Sequence, residues 1–165
     1  MKVYFSEYAS PLGKLYIAND EQGICNISFP GQKEKFFKWL QKNFNTCVEQ
    51  KTDMIAQAIN ELNEYFIGKR KVFAVPIHLI GTEFQKRVWN KLMEIPYGTT
   101  VSYGFIASQI GNIKASRAVG SANNKNPVPI IVPCHRVIGA RGNLVGYGGG
   151  LDIKTKLLEI EGVQY

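Results

Sequence analysis

The sequence predicts an α+β protein made of a small sheet with helices, followed by a mostly helical half. Three observations predict this. Residues 1–30 alternate apolar and polar with the period of two that a half-buried strand requires. From residue 32 onward apolar side chains recur at helical spacing. Around Leu79–Thr82 the pattern changes, which places a boundary between a domain at 1–80 and a second at 81–165. The length of 165 residues is enough for one domain or two small ones with a real core.

The first strands carry Val3 and Phe5, then Leu15 and Ile17, then Cys25, Ile27 and Phe29. The turns between them are Ser10-Pro11-Leu12-Gly13 and Asn19 to Gly23. This predicts a three-stranded antiparallel meander with one buried face and helices on one side. Cys25 lies on the apolar alternation and is expected as a small core residue. A helix fits Gln32–Phe44 through Phe36, Leu40 and Phe44, and Cys47 follows with no catalytic neighbour. A second helix starts at Thr52 as N-cap, carries Ile55, Ile59, Leu62 and Phe66, and stops at Gly68. Val72–Pro76 is expected to add a strand, and His78 to serve the surface or packing, since no Cys or His lies near it at ligand spacing.

In the second half Thr82 caps a helix bearing Phe84, Val88, Leu92 and Ile95, ended by Pro96-Tyr97-Gly98. Ser102 caps a short helix, Tyr103–Ile110; Gly111-Asn112 turns the chain; Ala115–Lys125 forms the next. Two short helices joined this tightly form a helix-turn-helix pattern. The second presents Ala118, Gly120, Ser121 and Ala122 with the single Arg117, whereas a helix that reads a major groove presents long forked side chains. Small residues allow close approach to a narrow minor groove, or packing on a neighbouring helix. A final helix carries Ile153, Leu157 and Ile160 and ends at Gly162, with Glu161 placed against the helix dipole.

Between these helices runs Asn126-Pro-Val-Pro-Ile-Ile-Val-Pro-Cys-His-Arg-Val137. Three prolines exclude a helix interior, and Ile130 to Val132 take the chain into a core. Pro133 then delivers Cys134 and His135. A free thiol is mostly protonated at neutral pH and needs a base to become a nucleophile. Neighbours on an extended strand point apart, so this pair requires a turn or a relaying water. The glycines at 142, 146, 148, 149 and 150 surround Tyr147 and suit a pocket wall; no lysine-serine pair completes a phosphate loop.

Charge points the same way. Net charge is +7, and the second half, with ten basic and five acidic residues, carries +5 of it. No carboxylate lies between Glu94 and Asp152, while Lys114, Arg117, Lys125, Arg136 and Arg141 do. Such a stretch suits a polyanion. The N-terminus has no secretory apolar region, and no apolar run approaches the ~20 residues of a membrane span. Three cysteines at no metal spacing suggest reduced thiols. A soluble intracellular protein is expected.

The segment Pro-Cys-His-Arg-Val behind Asn-Pro-Val-Pro resembles the active-site segment of the O6-alkylguanine-DNA alkyltransferases, and the likeness covers roughly residues 80–165. It implies a ribonuclease H-like N-terminal domain followed by a winged helix-turn-helix catalytic domain. By this resemblance Cys134 is the alkyl acceptor, His135 its base through a water, and Glu161 the carboxylate orienting the imidazole. Asn126 ties the network to the turn, and Tyr103 protonates the departing guanine. Arg117 takes the place of the flipped nucleotide in the stack, with Ser116, Ala118, Gly120, Ser121, Ala122, Asn123, Lys125 and Tyr103 along the DNA. Pro129, Val137, Tyr147 and Gly148 match the pocket wall and lid. The implied partner is double-stranded DNA containing O6-alkylguanine, met through the minor groove by a monomer in the cytoplasm (or a eukaryotic nucleus). Neither cofactor nor metal is expected, because Cys25, Cys47 and His78 do not reproduce the zinc ligands of some relatives. A cysteine hydrolase would share the Cys-His pair but turn over. A non-catalytic lesion-binding relative would lack the cysteine, and a plain winged-helix regulator gives no reason for it.

Overall fold

The computed structural model describes residues 1–139 and 149–164. The chain forms two compact units, Met1–Leu79 and Ile80–Tyr165. The first contains β1 (Lys2–Ser10), β2 (Gly13–Asn19), β3 (Ile24–Ser28), α1 (Lys33–Asn43), β4 (Thr46–Glu49) and α2 (Asp53–Phe66). Its sheet has the order β3-β2-β1-β4. The meander is present, but β4 pairs parallel to β1 and makes a fourth strand. A parallel partner needs a crossover, which α1 supplies. The four residues of β4 are too few to announce themselves, and Cys47 among them is exposed.

Helices cover both faces of this sheet, not one. Register sets Phe5 opposite Ala18 and Glu7 opposite Tyr16, on one face. There Phe36 and Phe37 of α1 meet the rings of Phe5 and Tyr16 at 5.1–6.1 Å between centroids. On the other face the Tyr8 hydroxyl donates to Asn63 of α2, and Thr52 donates to Asn19 at 2.7 Å. With both sides covered, β3 is buried throughout and β2 from Leu15 to Asn19, so alternation gives way to the continuous burial of strands covered on both faces. Thr52 caps α2 as its sequence predicts, accepting from the Ile55 N–H. At the far end of that helix Tyr65 is buried and Phe66 only half-buried.

Val72–Pro76 does not form a strand. The buried Glu61 carboxylate accepts the N–H groups of Ala74 and Val75 at 2.8 and 3.1 Å, taking donors a ladder would use. A single parallel bridge lies just beyond the segment, between Ile24 and Ile77. His78 lies 2.6 Å through Nδ1 from Asp20, whose carboxylate also caps the β2–β3 turn. Burial and the Asp20 charge push the Cys25 thiol far above its ordinary range, which fits a packing role.

The second unit contains α3 (Glu83–Leu92), β5 (Val101–Ser102), α4 (Tyr103–Gln109), α5 (Ser116–Asn124), β6 (Val137–Ile138) and α6 (Leu151–Ile160). Thr82 and Gln85 close a capping box at the start of α3, and Ser102 caps α4. Gly111, at φ +82°, makes the turn toward α5, which opens with a single 3-10 turn at Ile113–Ala115. The Trp89 indole of α3 donates to the Ala122 carbonyl at 2.8 Å, fixing α5 against the core. β5 and β6 pair in parallel and bring the start of α4 beside the segment that follows Cys134.

Candidate active site

Asn126 shapes the descent into the core. Its Nδ2 donates to the Val132 carbonyl at 2.8 Å, while its Oδ1 accepts the Val128 N–H at 3.0 Å. The loop so closed forces Ile130 to φ +75°, a left-handed conformation that costs a β-branched residue about 1–3 kcal/mol. Burial of Val128, Ile130 and Val132 offsets that strain. Past Pro133 the chain winds into a 3-10 turn, Cys134–Arg136. This turn meets the geometric need of the Cys-His pair, because consecutive side chains no longer point to opposite faces. Cys134 is 3% exposed and His135 fully buried.

His135 Nε2 lies 2.6 Å from Oε2 of Glu161. The next residue, Arg136, grips the same carboxylate with two nitrogens, Nε to Oε1 at 2.8 Å and Nη2 to Oε2 at 3.2 Å. Its third nitrogen donates to the Ile95 carbonyl at 2.7 Å, and the guanidinium lies 5.7 Å from the Tyr97 ring centre. The Gly98 N–H adds a further donor to Glu161 at 3.1 Å, from a backbone at φ +78° that suits glycine. A negative side chain at the C-cap of α6 opposes the helix dipole, and these donors stand where water would otherwise solvate it. Burial holds the His135 imidazole below its ordinary range against the pull of Glu161, with Arg136 and Lys154 reinforcing the depression. The ring is therefore neutral, the form a base requires.

Tyr103, the first residue of α4, is half-buried. Burial raises its phenol, a negative charge at Cys134 raises it further, and a hydrogen bond with Asn123 works the other way. It keeps its proton near neutral pH and can act as a donor. Pro129 and Val137 are buried around the same turn. Tyr147 and Gly148, expected at the pocket wall, lie outside the described residues. Along α5, Arg117, Ala118, Ser121 and Lys125 are exposed, and Ser116 and Gly120 half-buried. Ala122 and Asn123 point the other way, at 2% and 1% exposure, so neither belongs to the outer face expected to follow DNA. The small-residue helix thus packs on the core along one side and leaves small residues at the surface along the other.

Two residues of this site were not found by sequence reasoning. Arg136 counts in composition as a cation free for phosphate, yet it is buried on Glu161. Lys154 is fully buried in α6, its Nζ donating to the Val137 carbonyl at 2.7 Å; burial pushes its pKa down to about 8, and a negative Cys134 resists that shift. A signal for both existed. The buried face of α6 is Lys154, Leu157, Leu158 and Glu161, a regular i, i+3, i+4, i+7 stripe. It is hidden from any search that admits only apolar residues, and the expected stripe through Ile153 and Ile160 is displaced by one position. Among the described residues no three His, Cys, Asp or Glu side chains gather to hold a metal ion, and no helix is long and apolar enough to cross a membrane.

Both halves of the chain have counterparts among known proteins. Residues 3–79 match the ribonuclease-like domain, and residues 83–163 the DNA-binding domain, of 6-O-methylguanine DNA methyltransferase. The methylated-DNA–protein-cysteine methyltransferase of Methanosarcina acetivorans is 48% identical over 97% of this chain and 99% of its own length. The constitutive enzyme of that name from Bacillus subtilis is 44% identical over 98% and 97%. The crystal structure of Mycobacterium tuberculosis OGT in complex with DNA superposes with a TM-score of 0.84 at 44% identity, covering 96% of this chain and 92% of that one. With both halves matched in order and relatives this similar along their full length, the chain belongs to the 6-O-methylguanine DNA methyltransferase family.

Proposed function

We propose that Cys134 is the residue that accepts the alkyl group when this family's direct-reversal DNA repair is carried out by this chain. The observation that carries the assignment is the buried line from Glu161 to His135 to the turn holding Cys134. Glu161 occupies Nε2 of the imidazole, so Nδ1 is the nitrogen that takes the thiol proton, through a water. The thiolate attacks the alkyl carbon of O6-alkylguanine; the S–C bond forms as the C–O6 bond breaks, and the electron pair stays with the base. Tyr103 gives its proton to the leaving guanine, so that guanine need not depart as an anion. Displacement at a saturated carbon creates no tetrahedral oxyanion, and no oxyanion hole is needed.

The target atom is out of reach within a duplex, so the base must be extruded. Arg117, exposed on α5, fills the vacated place in the stack, and the small outer residues of that helix let it lie close in the minor groove. The same displacement applies to O4-alkylthymine. A thioether is not cleaved by water or by a neighbouring base, so each molecule reacts once. Intact-protein mass before and after exposure to methylated duplex DNA tests this reading. The expected result is a gain of one methyl for one hydrogen, on Cys134 alone, with no turnover in excess substrate. Cys134→Ser should abolish the gain and keep DNA binding, because a hydroxyl is a far poorer nucleophile. Repeated turnover would instead mark a hydrolase.

A further inference from the structure

Lys154, in the first turn of α6, carries an amine into the core. The side chain is fully buried, and its Nζ donates to the Val137 carbonyl at 2.7 Å. Val137 directly follows the turn that holds Cys134, and α6 packs against that turn. Burial lowers the Lys154 pKa only to about 8, so the group is an ammonium at neutral pH; a negative Cys134 pulls against the burial. The other charged and titratable groups around the thiol have different tasks. Glu161 is gripped by Arg136 and met by His135, and Tyr103 keeps its proton. Arg136 and Lys154 both oppose a charge on His135, so an imidazolium is disfavoured as the lasting partner of a thiolate. A buried cation is retained at such expense where an anion answers it.

We propose that the Lys154 ammonium is the counter-charge of the Cys134 thiolate, so that the nucleophile waits for DNA as half of a buried ion pair. This rests on Cys134 as acceptor and adds to that site a positioning residue that acts through its charge. A cation beside a thiol favours the thiolate, and more strongly out of water. His135 then carries the thiol proton away and does not keep it. The proton ends in solvent, and the site holds one negative sulfur and one positive nitrogen. When the S–C bond forms the sulfur becomes neutral and the attraction between the two is gone. Lys154 in the spent protein therefore gives up its proton more readily than in the fresh one.

Iodoacetamide, which reacts with thiolate and needs no DNA, tests this in the full chain. The rate of Cys134 modification, read by peptide mass, is followed between about pH 5 and pH 10, the range of protein thiols. Native chain, Lys154→Met and Lys154→Gln are compared. Methionine removes the charge and the hydrogen bond to Val137, whereas glutamine removes the charge and keeps a donor. Both should move the midpoint up by about one pH unit or more, the effect of a nearby opposite charge, and slow the reaction about tenfold below the native midpoint. A merely structural role would change the plateau rate and leave the midpoint where it is. The buried Cys25 reacts only in opened chains, so its modification in the same digest reports unfolding. Should both variants open, the native chain decides. The titration of the Lys154 side-chain nitrogen, followed by NMR, should move to lower pH once Cys134 carries a methyl group from methyl iodide. An unmoved thiol midpoint in folded variants, or the same Lys154 titration before and after methylation, overturns the ion pair and leaves Cys134 as acceptor intact. Methylated duplex DNA that leaves native Cys134 unmodified would overturn the acceptor assignment itself.

Discussion

Glu161 shows what a single residue carries here. It has one charge and faces an arginine, an imidazole and a backbone amide, all out of water. Glu161→Gln leaves the Arg136 guanidinium buried without a counter-charge, a change of about 3–5 kcal/mol. At roughly 2–4 °C per kcal/mol for a chain of this size, the melting temperature should fall by about 10 °C. Alkylation of Cys134 by a small electrophile should slow as well, since His135 loses its orienting partner. A melting temperature within a degree or two of the native value would remove Glu161 from the centre of the site. At this scale the sequence was legible where residue type implied chemistry. The His135 imidazole meets the Glu161 carboxylate and Cys134 lies on the same turn as His135, whereas Arg136 and Asn123 gave no sign of facing inward. Burial of a polar side chain is decided by partners distant in the chain, and Glu161 lies 25 residues from Arg136. Ile130 likewise gave no sign of its left-handed backbone; the hydrogen bonds of Asn126 impose it.

Among the elements, α6 is the one whose character periodicity misreads, and it has its own test. The folded pKa of Lys154 is depressed, to about 8 from 10.5, so between those values the unfolded chain binds the extra proton. Stability therefore rises with pH across that window and is reduced by the full desolvation penalty below it. Chemical denaturation at several pH values from 8 to 10.5 should show this rise in the native chain. Lys154→Met should lack it. A pH slope unchanged by the substitution would mean the ammonium is not held out of water. Capped helices were the best-read elements: Thr52, Thr82 and Ser102 each accept from the backbone N–H three residues on, as their sequence positions imply. Strand β4 was the worst-read, because four residues paired in parallel carry little periodicity of their own. The two-sided burial of β2 and β3 also escapes alternation, which encodes one covered face and says nothing of a second helix behind.

For the whole molecule, the charge asymmetry between halves remains, but fewer cations than composition suggests stand free to meet phosphate. With Arg136 and Lys154 buried, the exposed set around α5 among the described residues is Lys114, Arg117 and Lys125. These three contacts predict that DNA binding weakens with salt, each neutralised phosphate contributing about −0.9 to the slope, and Arg117→Ala should make the slope shallower by about that much. The alkylated product should also differ from the free protein as a whole. Cys134 sits at 3% exposure on a turn held by Val132, Pro133 and Asn123. Adding a methyl to so packed a place typically costs about 1–3 kcal/mol. Thermal melts of the free and methylated forms should therefore separate by several degrees; identical melts would show that the turn accommodates the adduct without strain.

That closed turn gives a spent molecule a physical mark. A loss of about 1.4 kcal/mol raises the unfolded fraction tenfold, and proteases that act on open chains respond to that fraction. Used copies would then be cleared faster than fresh ones with nothing needing to recognise the methyl group. The lifetime of the protein becomes a record of how many lesions the genome has held.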